Sequence, residues 1–422
     1  MKEPANERAV LIYVALNGDK PPIEEDLAEL KELSATAGAV VFTDFIQYRD
    51  HFDPAFVMGK GKLREIAEYV EQKSINTVIF YNTLSNSQRR NIQSIVNAKV
   101  IDRTELILDI FALHARTLEA KYQVELAQLS YRISHLTGRG AQYMQQTGGI
   151  GTRGPGEKKL EIERRRIRWR IDKLKTMLEK VKKQRRTRMS MRKSVPLPMI
   201  SLVGYTNTGK STLMNRLTGE DVYRADKLFA TLTTTTRKLM LPGKKLALLS
   251  DTVGFIKNLP HNLVASFRST LEEIVTSDMI IHVVDGSASG VLEQVDSVMS
   301  TLDDLKIKDK IIITAINKAD KADAHQIDEL LRILPDSVAI SALHGRNIEE
   351  LLKKIESKMS GFYGRYKLQI SFEQADILAK IKKYAFIEKE HYLKNNLIEL
   401  TFLGHKNIIS SVFKKNMEEY EI

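Results

Sequence analysis

MISLVGYTNTGKSTLMNRLTG, residues 199–219, reads as a buried strand, a tight loop and a helix in immediate succession. Within it, Gly204, Gly209, Lys210 and Ser211 stand at the spacing of a P-loop, G-x-x-x-x-G-K-S. Glycines at those positions let successive backbone N–H groups turn inward around phosphate oxygens. Lys210 supplies a point charge to the β and γ phosphates, and the Ser211 hydroxyl can ligate Mg²⁺. The apolar strand before the loop and the helix after it are the context this motif requires, and they imply a doubly wound α/β domain.

Three further elements follow in the order a guanine-nucleotide switch needs. LALLSDTVG, 246–254, sets Asp251 at the end of an apolar strand with Gly254 three residues on. Asp251 would hold Mg²⁺ through water, and the Gly254 N–H would meet the γ-phosphate. IIITAINKAD, 311–320, sets Asn317, Lys318, Ala319 and Asp320 at the end of another strand. The Asp320 carboxylate can accept from guanine N1 and N2; adenine lacks that donor pair and would leave the carboxylate unpaired. Ser341, Ala342 and Leu343 follow a further strand, where the Ala342 N–H can reach guanine O6. Nucleotide contacts are therefore expected from Gly204, Tyr205, Thr206, Asn207, Thr208, Gly209, Lys210 and Ser211, from Asp251, Thr252, Val253 and Gly254, and from the two guanine elements. The expected ligand is GTP or GDP, with Mg²⁺ as the expected cofactor.

FATLTTTTRK, 229–238, offers Thr231, Thr233, Thr234, Thr235 and Thr236 as candidates for the threonine that ligates Mg²⁺ only while the γ-phosphate is present. Where many GTPases carry a water-orienting glutamine after the glycine of D-x-x-G, this chain has Phe255. Intrinsic hydrolysis is then expected near the ~10⁻⁴ to 10⁻² s⁻¹ of an incomplete site. A partner, a distant side chain or a cation must complete it. Asn207 in the P-loop is placed to coordinate K⁺ beside the phosphates; the alternative is a turn asparagine bonded to its own loop.

Outside this region the 422-residue chain is too long for one core. The first hundred residues alternate strand and helix, and the expected product is a small parallel sheet in a domain over 1–112. Over 113–195 the pattern becomes helical. Leu118, Tyr122, Leu126, Leu129, Ile133 and Leu136 form one stripe, and Leu160, Ile167, Ile171, Leu174, Leu178 and Val181 a second. Two such helices joined by a loop predict a long antiparallel hairpin. The second is strongly basic, from Lys158 to Lys193, and its end, KKQRRTRMSMRKSVPLP, loses the stripe and reads as a linker. The nucleotide domain is expected over 196–361 and a small α+β appendage over 362–422.

A net charge of +12 favours an acidic partner, and zero cysteines exclude disulfides and thiolate metal sites. No apolar run nears the ~18 residues of a membrane helix, and MKEPANERAV has no signal core, so a cytoplasmic protein without a stable membrane anchor is expected. GKGK, 59–62, is too short for a P-loop and opens a helix; the nine histidines show no metal spacing.

GYTNTGKSTLMNRLTG, DKLFATLTTTTRKL, DTVGFIKNLPHNLVASFRSTLEE, NKAD and, ahead of them, GGIGTRGPGEKKLE resemble the HflX family of GTPases in the Obg–HflX group, over nearly the full length. The last motif is the most specific. By this resemblance the switch is Phe229, Ala230, Thr231, Leu232 and Thr233, with Thr231 as Mg²⁺ ligand and Thr236 as its fallback. Relatives read FATLDPTTR where this chain has Thr233 and Thr234. The catalytic set is then Lys210, Thr231, Gly254 and Asn207, with Ser211 and Thr231 on the metal. A monomer is expected, and the resemblance implies that it binds the large ribosomal subunit and its RNA, hydrolyses GTP faster there, and splits or rescues stalled ribosomes. It also makes the glycine-rich stretch at 147–156 the tip of the hairpin, compact enough for close approach to RNA. Arg139 and Arg153 would bring charge to that apex, and Tyr143 and Trp169 could stack on bases. Two other readings are an RNA-remodelling protein regulated by its nucleotide domain and a membrane-surface GTPase. Lipid binding wants a free apolar face, which the hairpin consumes.

Overall fold

The computed structural model describes residues 7–18, 22–136, 155–192, 197–219, 229, 235–243, 245–252, 254–257, 273–305, 307, 310–371, 375–393, 396–406 and 409. The chain is a multidomain α/β protein that clusters into two compact units.

In the first unit, strands β1 (Glu7–Leu16), β2 (Ala39–Arg49), β3 (Thr77–Phe80) and β4 (Lys99–Asp102) form a wholly parallel sheet in the order β2-β1-β3-β4. The central β1 is buried on both faces, which is why it reads as an unbroken apolar run. Its Val10, Ile12 and Val14 pack with Leu63, Ile66 and Val70 of α2 (Lys60–Gln72) and Ile92 and Val96 of α3 (Asn86–Val96). Tyr13 points the other way and donates to Asp26 of α1 (Ile23–Thr36) at 2.9 Å. Gly59 caps α2, so GKGK does open a helix. Ser85 caps α3 through a reciprocal box with Gln88.

One helix of this unit is absent from the sequence reading. α4 (Arg103–His114) buries Leu106, Ile107, Leu108, Ile110 and Phe111, so its apolar residues encircle it and leave no stripe to detect. It begins at Asp102, whose carboxylate accepts from Glu105 N at 2.9 Å and Leu84 N at 3.1 Å. The Tyr131 hydroxyl donates to the same group.

The helices α5 (Leu118–Leu136) and α6 (Pro155–Arg192) are the arms of the hairpin, tied by a two-pronged ion pair from Arg170 to Glu125 at 2.6 and 2.8 Å. Two expectations need correction here. On α5 the buried stripe is Ala120, Val124, Ala127 and Tyr131, whereas Leu118 is 59% exposed. Small residues allow α5 to lie close to its neighbour, so volume was the wrong guide to the inner face. On α6, Ile171 and Leu174 are buried as expected, but the helix continues through the stretch read as a linker to Arg192. Lys, Arg, Gln and Met favour helix without needing a stripe, and no proline interrupts them before Pro196.

The second unit holds a six-stranded sheet of β5 (Met199–Gly204), β6 (Thr235–Met240), β7 (Leu246–Asp251), β8 (Met279–Asp285), β9 (Ile311–Asn317) and β10 (Ser337–Ala339). Their order is β10-β9-β8-β5-β7-β6, parallel except for β6. The chain leaves β5 toward β7 on one side and later returns toward β8 on the other, so the topology reverses beside β5. In such sheets the ligand crevice lies beyond the carboxyl ends at that point. The domain also contains helices α7 (Lys210–Thr218), α8 (Val291–Asp304), α9 (Ala324–Ile333) and α10 (Ile348–Lys358). A three-stranded antiparallel sheet follows, of β11 (Tyr363–Ser371), β12 (Phe386–Leu393) and β13 (Leu397–His405), with α11 (Ala375–Tyr384) on one face. The appendage is therefore a β-α-β-β unit, within the α+β class expected of it. Its core is Tyr366, Leu368, Ile370, Ile381, Ile398, Leu400 and Phe402.

Candidate functional site

The carboxyl ends of β5, β7, β8, β9 and β10 bring the sequence-predicted residues to one edge of the six-stranded sheet. Residues 204–211 leave β5 and enter α7 through Gly209, which adopts φ +88. A Cβ there would also stand 2.4 Å from Asn317 Nδ2, so both conformation and space exclude a side chain.

Lys210 is buried, and its ammonium donates to Gly204 O at 3.0 Å and Tyr205 O at 2.6 Å. Burial brings its pKa down to about 8, with the nearby Asp251 carboxylate opposing the shift. The Ser211 hydroxyl donates to Asp251 at 2.8 Å, so two hard oxygen donors converge beside the lysine. This pairing suits Mg²⁺, which prefers oxygen ligands and keeps several waters. The Thr206 hydroxyl is buried without a hydrogen-bond partner among the described residues, leaving a polar group for a ligand to satisfy. A Cβ added to Gly254 would lie 3.0 Å from the Lys210 ammonium, so Gly254 sits directly against it.

Phe255 follows Gly254 directly. It is buried and forms a parallel bridge with Tyr205, accepting from Thr206 N at 2.7 Å and donating to Gly204 O at 3.0 Å. The Tyr205 hydroxyl accepts from Lys257 N at 2.7 Å. The stretch after Gly254 is thus zipped along the P-loop. Asn207 is exposed with φ +61, and its side chain makes no hydrogen bond among the described residues. The loop-bonding alternative is not what the structure contains.

The guanine elements form a second cluster. Asn317 donates to Thr208 O at 2.8 Å and accepts from Ala342 N at 2.9 Å. The N–H expected to face guanine O6 is here given to Asn317; one N–H can be shared between two acceptors. Asp320 faces solvent, and a hydrogen bond from Ser341 holds its carboxyl below the ordinary range, with His344 Nε2 3.6 Å away. Lys318 takes φ +61 and reaches Asp285 at 2.6 Å. Asp285 was missed by sequence reasoning, although it ends the apolar run MIIHVVD just as Asp251 ends its own. Arg216 of α7 donates to Ala342 O at 3.1 Å and to Leu343 O, and a lone arginine on a helix gives no sequence signal of such contacts. Leu343 is 53% exposed beside this cluster.

Phe229 takes φ +56, is buried, and meets Phe111 edge-on with centroids 4.6 Å apart. Ala230, Thr231, Leu232, Thr233 and Val253 lie outside the described residues, as does the glycine-rich tip with Arg139, Tyr143 and Arg153. On α6, Trp169 is 63% exposed with the Lys173 ammonium 5.0 Å from its ring centre.

Three family descriptions match the chain in series: "GTP-binding GTPase N-terminal" over 24–112, "GTP-binding GTPase Middle Region" over 114–192 and "50S ribosome-binding GTPase" over 199–318. The chain is 45% identical to the "GTPase HflX" of Lacrimispora saccharolytica, across 93% of this chain and 92% of that protein. It is 38% identical to the "GTPase HflX" of Escherichia coli, across 94% and 93%. A GTP-binding protein of Sulfolobus solfataricus, solved with GDP, is similar at 27% identity, covering 84% of this chain and 99% of that one, with a TM-score of 0.46.

Proposed function

The chain belongs to the HflX family of GTPases, and on that premise we propose that it binds the large ribosomal subunit, hydrolyses GTP faster there, and splits or rescues stalled ribosomes. It is a GTP-hydrolysing enzyme of a ribosome-binding GTPase family. The finer reading is carried by one observation: the residue after Gly254 is buried as Phe255 and cannot orient water. A site with phosphate and guanine elements in place but no water-orienting side chain there needs completion by a partner.

In this reading Gly204, Tyr205, Thr206, Asn207, Thr208, Gly209, Lys210 and Ser211 cradle the phosphates. Asp251, Thr252, Val253 and Gly254 meet the metal and the γ-phosphate. Asn317, Lys318, Ala319, Asp320, Ser341, Ala342 and Leu343 enclose guanine. Ser211 and Thr231 would hold Mg²⁺, which when bound neutralises charge developing between the β and γ phosphates. Phe229, Ala230, Leu232 and Thr233 carry Thr231 to its place. Lys210 supplies a fixed positive charge, and the buried Thr206 hydroxyl gains a partner. Asn207, exposed at the P-loop, contributes its amide oxygen to a K⁺ beside the phosphates, where an arginine finger would otherwise act. The basic face of α6 and Trp169 suit ribosomal RNA. Among the described residues no helix is long and apolar enough to cross a membrane. We place the protein in the cytoplasm as a monomer.

The test is sedimentation with purified subunits and intact ribosomes, in a GTP analogue and in GDP, with hydrolysis rates in K⁺ and in Na⁺. Co-sedimentation with the large subunit in the analogue, and a rate that rises with it, is the expected result. Equal stimulation by naked RNA would favour the RNA-remodelling reading, and equal rates in the two salts would remove the K⁺ assignment. Deleting 148–156 should spare GTP binding and abolish stimulation.

A further inference from the structure

We propose that Arg216 is a positioning residue for guanine recognition, holding the 341–346 loop in the shape that reads the base oxygen. The inference rests on the guanine-nucleotide reading above and adds a residue to which none of the nucleotide elements assigns a role.

Arg216 lies in the last turn of α7, the helix that begins with Lys210 and Ser211. Its Nε donates to Ala342 O at 3.1 Å, and a terminal nitrogen donates to Leu343 O. The guanidinium also lies against Gly345, where an added Cβ would stand 3.6 Å from three of its atoms. The loop itself closes through paired bonds between Ser341 and Arg346, both 3.1 Å, and through Gly345 N to Ser341 O at 2.8 Å. The Arg216 fork occupies the hollow of that closed loop.

Residue 342 is thereby fixed on both sides. Its N–H meets Asn317 Oδ1, and its C=O meets Arg216. A carbonyl that accepts from a cation orients the peptides on either side of it. The N–H that reaches guanine O6 belongs to one of them. Arg216 stands six residues beyond Lys210, about 9 Å along the helix axis. One rigid element thus sets both the phosphate end and the base end of the nucleotide. A lysine could supply the charge at this position, but its three donors radiate from one atom and cannot span the two carbonyls as the planar fork of a guanidinium does.

The experiment compares the full chain with Arg216→Ala and Arg216→Lys, titrated with GDP, with inosine 5′-diphosphate and with the fluorescent 5′-diphosphate of 2-aminopurine riboside. The first two nucleotides carry O6, and the third lacks it. Arg216→Ala should weaken GDP and inosine diphosphate by about tenfold, as expected when charge-assisted hydrogen bonds are lost. It should weaken the 2-aminopurine nucleotide by less than about twofold, since that base has no O6 for the loop to read. Arg216→Lys should fall between. Equal loss for all three nucleotides, or no loss for any, overturns the proposal; the first would mark Arg216 as merely structural. If Arg216→Ala does not fold, the same comparison is read from Arg216→Lys. A wild-type chain that binds none of the three would instead overturn the guanine-nucleotide reading on which this inference rests.

Discussion

Asn317 accepts the Ala342 N–H at 2.9 Å, and its amide nitrogen donates to Thr208 O at 2.8 Å. One side chain therefore joins the phosphate loop to the base loop. Asn317→Ala would leave a buried donor and a buried acceptor unsatisfied, at about 1–3 kcal/mol each. We expect the GDP dissociation constant to rise at least tenfold, about 1.4 kcal/mol. The nucleotide-free protein should melt several degrees lower, at about 2–4 °C per kcal/mol. Calorimetry with GDP and a thermal scan without it check the two effects; unchanged affinity would exclude the bridge.

Lys210 gives GDP binding a defined pH dependence. Its pKa is held at about 8 by burial, and a bound phosphate favours the ammonium and raises it. Between those two values, binding takes up a proton. Affinity should be flat near pH 7 and fall above pH 8, toward tenfold per unit. Calorimetry in buffers of different ionisation enthalpy should find little uptake at pH 7 and nearly one proton at pH 9. Equal uptake at both pH values would count against this account, and Lys210→Ala should abolish binding.

Asp285 matters because Lys318 is committed to it at 2.6 Å. With Asp285→Asn the lysine loses its anchor while the strand remains. GDP release, followed with a fluorescent analogue, should speed by roughly threefold to tenfold. Stability should change by less than about 1 kcal/mol, because the pair is partly exposed. Release at the wild-type rate would show that the anchor does not act on the nucleotide.

His282 lies buried in β8, and burial, followed by the Lys210 charge, brings its pKa to about 4. A histidine kept neutral in the fold takes up its proton on unfolding. Its contribution is full above pH 6.5 and is lost as the pH falls from 6.5 toward 4. The loss approaches about 3 kcal/mol at the acid end, from 1.36 kcal/mol per unit. In His282→Val, urea unfolding at pH 5 and pH 7 should differ less than in the wild type. An unchanged difference would place the acid sensitivity elsewhere.

Most of the nucleotide edge was legible because each motif coincides with the end of an apolar strand. Asp251, Asn317 and Ser341 all follow β-patterned runs, so motif and topology pointed the same way. The rest was hidden for separate physical reasons. α4 is apolar around its circumference, so it has no period to detect. α5 buries Ala120 and Ala127 rather than its leucines, because close helix approach favours small residues. α6 outruns its stripe because propensity alone sustains a basic helix. Asp285 and Arg216 act through contacts distant in sequence, 33 and 126 residues away, which no local pattern encodes.

The bridge between Tyr205 and Phe255 also limits what mutation can do to this enzyme. A glutamine placed at 255 would enter a slot 5% open to solvent, where a buried amide costs free energy unless it finds hydrogen-bond partners. A single codon change at that site would lower stability and leave turnover where it was. A faster descendant of this chain would have to recruit a group from another position, or rebuild the backbone path after Gly254 so that residue 255 turns outward.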